Sequence, residues 1–341
     1  MTKERKIAFV FPGQGSQSVG MGKDLTQETT AQAVFDAFDH SFEQGFKSME
    51  APASLNLPAG REALSLSQVC FEGPDELLKR TLFTQPAILA TSIASLRVFQ
   101  KLAPSVKPAF LAGHSLGEYG ALYAASAITL EQAAELIQQR ALLMERAPEG
   151  TMSAVLGLSA EKVAEVIKTW KSANPDAISA LANDNSDAQV VISGERSALE
   201  ALAPSLKEAG AKRVLALPVG GAFHSPLMSP AAKTFESVLE RFEFQNAQIP
   251  VITNVDAQPE QVALNLRNKL ARQIDHSVLW TPTMRRLVQE GVNTVIEFGP
   301  GKVLTGLFSK MFPDIAVFNV SDMATAAAVS EALTASVSAL S

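Results

Sequence analysis

Apolar runs of strand length alternate with longer helical patterns in the first part of the chain. The run at residues 7–11 has strand length, helical patterns cover residues 31–42 and 86–101, and a second strand-length run follows at residues 109–112. Such alternation is typical of a parallel sheet covered by helices. The pattern therefore predicts the α/β fold class.

The pattern changes at residue 151. Strands are predicted at residues 152–157, 177–182, 189–193 and 212–217, and helices at residues 160–169 and 197–209. This βαββαβ order is typical of the ferredoxin-like unit. Breaker residues occur at 148–150 and 218–221 and are suited to be its hinges. We therefore expect a small ferredoxin-like domain, residues 151–218, inserted into a large domain formed by residues 1–150 and 219–341.

The remainder of the chain returns to the earlier pattern. Helices are predicted at residues 226–241, 259–273 and 281–290, a strand at 294–298, and a final pair of elements after it. Residues 45–68 have no clear period and carry Pro and Gly breakers, so they are interpreted as an irregular insertion. The Ala/Ser-rich end, residues 324–341, predicts a terminal packing helix rather than an interaction tail.

Composition narrows the classes of function. The 341 residues are 47% apolar and 19% charged, as in ordinary globular proteins, and the net charge of -6 comes without the basic stripe that nucleic acid requires. Cys70 is the only cysteine, which fits a reducing compartment. No apolar run has the length of a signal-peptide core or a membrane span. We expect a cytoplasmic protein that binds neither nucleic acid nor membrane.

The segment Gly113-His114-Ser115-Leu116-Gly117 carries the strongest chemical signal. It follows a strand-length run and precedes a helical pattern, which is the context of a nucleophile elbow in an α/β-hydrolase-like domain. The glycines permit a tight turn, and Ser115 would lie at a helix N-terminus, where developing negative charge is stabilised. A structural Gly-rich turn is the alternative.

A serine nucleophile needs a base, and the chain has four histidines. His114 adjoins the serine and should point away from it on a sharp turn, while His40 and His276 lie in unremarkable polar positions. His224 follows a strand in a loop bounded by breakers, a common place for active-site residues. His224 is therefore the candidate base, although the sequence indicates no third carboxylate to complete a triad.

The glycine loop of residues 11–17 follows the first strand. It lacks the third glycine of a dinucleotide fingerprint, and the chain contains no phosphate-binding P-loop motif. The loop can instead direct backbone N–H groups toward the elbow, as an oxyanion hole requires. One cysteine and four scattered histidines supply too few ligands for a zinc centre, so we expect no metal and no cofactor.

Arg140 lies within the predicted helix at residues 130–146. It falls four residues after Leu136 and four before Met144, which places it on the apolar stripe of that helix. A buried guanidinium is costly unless it is paired, and its planar fork suits a carboxylate. An internal salt bridge and a snorkelling side chain remain equally open explanations.

Five features occur in order along nearly the whole chain: FPGQGSQ at residues 11–17, GHSLGEY at 113–119, Arg140, AFH at 222–224 and EFGPGKVL at 297–304. Together they resemble the malonyl-CoA:acyl carrier protein transacylase family, to which the acyltransferase domains of polyketide synthases are also similar. Several motifs in one order are far more specific than the Gly-x-Ser-x-Gly segment alone.

This resemblance implies a role for each matching residue. Ser115 would be acylated, His224 would be the general base, and the backbone N–H groups of Gln14 and Leu116 would form the oxyanion hole. Arg140 would bind the free carboxylate of malonate. A backbone carbonyl near Gln273 would orient His224, which would account for the missing carboxylate.

The resemblance also implies features of substrate recognition. Asn183 and Asn185 would lie near the thioester arm, and Phe223 resembles the aromatic residue of malonyl-selective members. The partners would be malonyl-CoA and a phosphopantetheinylated acyl carrier protein of fatty-acid synthesis, and the enzyme is expected to be a monomer. Arg285-Arg286 and Lys212-Arg213 are weak candidates for contacts with an acidic carrier, since a solvated helix end is the preferred explanation of each pair.

Alternatives from other classes remain. A free-standing acyltransferase of a polyketide assembly line would have the same chemistry and a different carrier. A serine esterase or thioesterase would use the same elbow with water as acceptor, and Arg140 on an apolar stripe argues against it. An inactive scaffold subunit of a synthase complex is disfavoured because Ser115, His224 and Arg140 are all present.

Overall fold

The computed structural model describes residues 5–48 and 65–338. The strands are β1 Ile7–Phe11, β2 Phe110–Gly113, β3 Thr151–Leu156, β4 Ser179–Ser186, β5 Gln189–Gly194, β6 Arg213–Ala216, β7 Val251–Ile252, β8 Pro259–Glu260, β9 Thr294–Phe298 and β10 Ala316–Val320. The helices are α1 Thr29–Ser48, α2 Leu66–Glu72, α3 Asp75–Leu78, α4 Thr81–Leu102, α5 Gly117–Ala124, α6 Leu130–Glu145, α7 Ala160–Ala173, α8 Arg196–Glu208, α9 Ser229–Leu239, α10 Ala263–Gln273, α11 Trp280–Gln289, α12 Val303–Met311 and α13 Met323–Ser338.

The larger sheet has the strand order β10-β9-β1-β2-β7-β8. The first five strands are parallel, and β8 pairs antiparallel with β7 at the edge. Alternate residues of β1 enter two hydrophobic cores, Phe9 and Phe11 on one face and Ala8 and Val10 on the other. Burial on both faces explains why β1 reads as a continuous apolar run.

The smaller sheet has the order β4-β5-β3-β6, and every neighbouring pair is antiparallel. Helices α7 and α8 cover one face, where Val155 and Ile192 pack against Val163 and Leu202. Residues of the opposite face, including Met152 and Val191, line a cavity beside the larger sheet. One face of the smaller sheet is therefore covered by helices, and the other is available to form the wall of the cavity.

The α/β class, the parallel sheet and most predicted elements are confirmed, and the differences have local causes. The helix predicted at 259–273 begins at Ala263, because Pro259–Glu260 forms an edge strand, where the missing N–H of proline is tolerated. Strand β4 extends through polar Asn183 and Asn185 to Ser186, with two register irregularities against β5. The two-residue strand β7 was not predicted.

The predicted irregular stretch at residues 45–68 is only partly described. Helix α1 continues to Ser48 and helix α2 begins at Leu66, so both ends of the stretch are helical. Residues 49–64 lie outside the described part of the chain. The prediction for those residues is not tested, whereas the flanking residues are more regular than expected.

Helix α4 is the longest buried element. It extends from Thr81 to Leu102 and begins five residues before the predicted start at Pro86. Within the described residues it is the one helix whose length and composition would also suit a membrane span, and 94% of that window is buried inside the protein. Helix α4 therefore packs as a core helix here.

Candidate functional site

The candidate site lies where β1 and β2 end. These strands pair in parallel with Phe11 opposite Gly113, so the loops that follow them emerge at one edge of the sheet. Ser115 occupies the turn between β2 and α5 with φ of 52°, a left-handed conformation that costs free energy for a residue other than glycine. The predicted strand-turn-helix context of Ser115 is present.

Asn254 holds this turn from both sides. Its Oδ1 accepts a hydrogen bond from the Ser115 backbone N–H at 2.7 Å, and its Nδ2 donates to the Gly113 carbonyl at 2.6 Å. Asn254 is fully buried. Because both hydrogen bonds require the same turn geometry, they offset the strain at Ser115.

Gly117 permits the elbow to pack against the neighbouring loop. A Cβ atom at this position would lie 2.1 Å from the Phe11 carbonyl oxygen, far inside contact distance. We expect Gly117→Ala to lower the free energy of unfolding by about 3 kcal/mol, because the backbone must move. Gly306→Ala is the matched control, since a Cβ there meets nothing within 4 Å. Equal stabilities of the two variants in urea unfolding would contradict this explanation.

Ser115 and His224 are in direct contact. The Ser115 Oγ lies 2.8 Å from His224 Nε2, and His224 Nδ1 lies 2.8 Å from the backbone carbonyl oxygen of Gln273. A carbonyl only accepts, so Nδ1 carries the proton and Nε2 is free to accept from the serine hydroxyl. The arrangement can remove the Ser115 proton without a carboxylate in the third position.

Burial holds His224 in its neutral form. Desolvation is the main cause that lowers the pKa of His224 from 6.5 to about 3, and the Arg140 cation lowers it further. Between about pH 6.5 and about pH 3 the folded protein therefore keeps this imidazole unprotonated, whereas a histidine of the unfolded chain gains a proton as the pH falls through this range.

This lowered pKa can be measured by NMR. The imidazole proton signal that disappears in His224→Gln should not shift between about pH 8 and about pH 5, since the folded-state pKa is far below that range. The exposed His276 signal serves as the reference for solution conditions. A His224 midpoint near 6.5 would contradict the burial argument.

Arg140 lies directly beside the serine and is fully buried. Its Nη2 donates to Ser115 Oγ and to Gln273 Oε1, both at 3.0 Å, and its Nη1 donates to Gln85 Oε1 at 2.6 Å. Its Nε has no hydrogen-bond partner in the part of the chain that the structure describes. Among the described residues Arg140 forms no ion pair with a carboxylate, so its cation is held by neutral groups.

Gln14 and Leu116 carry the backbone N–H groups that the family resemblance assigns to the oxyanion hole. Both residues line the cavity that contains Ser115 and His224. Within residues 5–48 and 65–338, neither N–H group donates to another protein group. Such free donors can stabilise an oxyanion that forms at the serine.

The cavity lies between the two sheets and has a volume of about 370 Å³. Phe223, Asn183 and Asn185 line it, together with residues of helix α12. Asn185 Oδ1 lies 2.8 Å from His114 Nε2, so His114 faces β4 and not the serine hydroxyl, in agreement with the prediction. The structure brings together every site residue that the sequence predicted, and leaves His40 and His276 outside the cavity.

The sequence model of the acyl transferase domain family matches residues 8–333 of the chain. The chain belongs to this acyl transferase family. The acyltransferase is 40% identical over 332 residues to the malonyl CoA-acyl carrier protein transacylase of Haemophilus influenzae, covering 96% of this chain and 99% of that protein. The resemblance inferred from the motifs is confirmed.

Two solved structures extend the similarity to the fold. An acyl carrier protein S-malonyltransferase of Vibrio cholerae is 39% identical with a TM-score of 0.84, covering 95% of the acyltransferase and 99% of that chain. A malonyl-transacylase solved in complex with its type II polyketide synthase acyl-carrier protein is 37% identical, also with a TM-score of 0.84, over 96% of this chain and 99% of that chain.

Three residues of the acyltransferase site were not identified from the sequence. Gln85 accepts from Arg140, Asn254 holds the Ser115 turn, and Glu118 accepts from Gln273 Nε2 at 2.7 Å. A polar Gln within the apolar pattern of α4 was a possible signal for the first. The other two became identifiable only once distant segments were placed side by side.

Proposed function

We propose that this acyltransferase moves a malonyl group from malonyl-CoA to the phosphopantetheine thiol of an acyl carrier protein, through an ester on Ser115. Ser115 is the nucleophile and His224 is the general base. The backbone N–H groups of Gln14 and Leu116 form the oxyanion hole. The names of the relatives and the geometry of these four residues support this assignment.

The observation that carries the malonyl assignment is the environment of Arg140. The Glu118 carboxylate acts on this guanidinium only through Gln273, which lies between them. The guanidinium itself contacts neutral amides and a hydroxyl, its Nε is unpartnered, and among the described residues no anion touches it directly, although a buried cation normally has one in contact. The carboxylate of a malonyl group on Ser115 would supply a contacting anion and accept a two-pronged hydrogen bond. An acetyl group would leave the guanidinium without one.

The transfer then proceeds in two balanced halves. As Ser115 Oγ attacks the thioester carbonyl carbon, its proton passes to His224 Nε2, and the carbonyl electron pair moves onto the oxygen held by the two N–H donors. The C–S bond breaks and the coenzyme A sulfur takes the proton from His224. In the second half the carrier thiol gives its proton to His224 as its sulfur attacks the ester carbonyl carbon, the bond between that carbon and Ser115 Oγ breaks, and Oγ takes the proton back from His224.

The cavity shape supports an unbranched acyl group and a long thioester arm. Phe223 lines the cavity beside His224 and is 94% buried, leaving little room for a substituent on the malonyl α-carbon.

Asn183 and Asn185 also line the cavity, where their amides can contact the pantetheine chain. The thioester arm therefore enters between the two sheets.

The segment that contains the smaller sheet is best explained as an inserted domain. We assign residues 151–218 to a ferredoxin-like unit within a large domain formed by residues 1–150 and 219–341. The sheet order β4-β5-β3-β6 with α7 and α8 on one face supports this assignment. Malonyl-CoA and the carrier would then use the same inter-domain cleft in turn.

The carrier is proposed to belong to fatty-acid synthesis, with a polyketide carrier as the alternative. Of the two basic pairs from the sequence, the first already forms ion pairs within the protein, Arg285 with Asp187 at 2.5 Å and Arg286 with Glu290 at 2.8 Å, whereas Lys212 and Arg213 are exposed. We propose a cytoplasmic monomer that needs no metal or cofactor. The choice of carrier is tested by comparing transfer rates to the two carrier types.

Intact mass of the protein after brief exposure to malonyl-CoA tests the proposed function. We expect a malonyl adduct that disappears when a pantetheinylated carrier is added, with the same mass gained by the carrier. Release of free malonate without a modified carrier would assign the protein as a hydrolase. No adduct and no product would overturn the proposal.

A further inference from the structure

Glu118 is a buried carboxylate next to the proposed machinery, without a role in the steps above. It lies in the first turn of α5 and is 1% exposed. Its Oε2 accepts from Gln273 Nε2 at 2.7 Å and from the Asn254 backbone N–H at 3.2 Å. Burial raises the pKa of Glu118 to about 7, and these two hydrogen bonds act in the opposite direction. A carboxylate so placed connects two residues that both contact the serine turn.

The first connection determines which way the Gln273 amide faces. Its Nε2 donates to Glu118 and to the Ser115 carbonyl at 2.9 Å, and its Oε1 accepts from Arg140. Both partners of Nε2 are acceptors, whereas Arg140 can only donate. Glu118 therefore favours the one amide orientation that leaves Oε1 available to hold the Arg140 guanidinium.

The second connection reaches the strained turn. The Asn254 backbone N–H donates to Glu118 Oε2, and the Asn254 side chain holds Ser115 N and Gly113 O. Asn254 comes from the segment after β7, and Gln273 from the end of α10. One carboxylate on the elbow helix thus fixes both distant segments relative to the serine.

We propose that Glu118 is a positioning residue whose carboxylate orients the Gln273 amide and the Asn254 backbone, and thereby aims Arg140 and holds Ser115 for reaction. The effect of Glu118 on substrate selectivity rests on the proposed function, because this effect acts through Arg140. Its effect on the serine does not depend on which acyl group the enzyme carries.

Two measurements separate the effect of Glu118 on selectivity from its effect on Ser115. The rate at which a fluorophosphonate labels Ser115 reports the Ser115–His224 arrangement without any acyl group. The kcat/KM ratio for malonyl-CoA over acetyl-CoA, with a pantetheinylated carrier, reports the aim of Arg140. Glu118→Ala removes the acceptor, and Glu118→Gln keeps an oxygen that can accept both hydrogen bonds. Glu145→Gln is the matched control, because this half-buried carboxylate pairs with Arg80 and Leu82 N away from the serine.

We expect Glu118→Ala to slow labelling and to lower the malonyl preference by roughly 10-fold or more each, per folded molecule, with Glu118→Gln recovering most of both. Glu145→Gln should stay near wild type. If Glu118→Ala does not fold, Glu118→Asp replaces it, because its shorter side chain retracts the carboxylate from both donors.

Wild-type labelling in Glu118→Ala, or a Glu118→Gln variant no better than Glu118→Ala, would overturn the proposal. Normal labelling of the wild-type serine without a malonyl ester would instead overturn the proposed function, and the labelling rates would still decide the role of Glu118.

Discussion

Replacing Ser115 with alanine should abolish the covalent malonyl adduct and lower malonyl transfer by about 10⁴-fold or more, because the substitution removes the hydroxyl proposed to form the ester. The Oγ removed is the atom that lies 2.8 Å from His224 Nε2 and 3.0 Å from Arg140 Nη2. Radiolabelled malonyl-CoA followed by denaturing gel analysis measures the adduct, and carrier modification measures the transfer.

The exposed Ser237→Ala variant is the control for this experiment, since Ser237 lies on helix α9 outside the cavity. It should retain the adduct and the transfer rate of the wild type. A stable malonyl ester on Ser115→Ala would mean that another residue is the nucleophile, and the site described above would be misassigned.

Replacing Arg140 with alanine should remove the preference for a carboxylated acyl group. Loss of one partner of a buried charge pair costs about 2 to 5 kcal/mol, which corresponds to roughly 30- to 4,000-fold in kcat/KM for malonyl-CoA. Transfer of acetyl from acetyl-CoA should fall much less, or rise, because acetyl has no carboxylate to pair. Competition between the two thioesters in one reaction measures the ratio directly.

Arg146→Ala controls for the loss of an arginine charge, since Arg146 is exposed immediately after the last residue of α6. Arg140→Lys should give an intermediate preference, because lysine keeps the charge without the planar fork that reaches Gln85 and Gln273 together. Equal losses for malonyl and acetyl would show that Arg140 supports the fold of the site rather than its selectivity.

The parts of this site that lie close together in the sequence were predictable. The apolar run before Gly113 and the helical pattern after it indicate the elbow at Ser115, because strand, turn and helix are each local properties of the chain. The helical stripe placed Arg140 in the interior for the same reason, and the structure buries it completely.

The identity of the partners was not predictable from local pattern. Asn254 lies 139 residues from Ser115 along the chain, and Gln273 lies 49 residues from His224. No periodicity encodes which of several polar loops will meet at a sheet edge. Only the family resemblance indicated a carbonyl near Gln273, and nothing indicated that the side chain of the same residue would contact Ser115, Glu118 and Arg140.

Strand β4 extends beyond the end that the sequence predicted for it. Its residues Asn183 to Ser186 are polar and poor strand formers, so the sequence pattern ended the strand at residue 182. In the structure the pairing with β5 continues past two irregularities. Asn183 and Asn185 line the cavity, whereas Asp184 accepts a hydrogen bond from Thr281. Tertiary pairing prevailed over local preference in this segment.

The acceptor for His224 Nδ1 is part of the main chain, and this has a consequence for how the site can change over evolution. Nearly any substitution at position 273 leaves a carbonyl oxygen in place, whereas a triad carboxylate can be deleted by a single codon change. A carbonyl also has no ionisable proton, so acidification cannot switch off its hold on the imidazole. The orientation of the His224 ring is thus inherited with the path of the backbone, and selection at position 273 can act on the amide side chain alone.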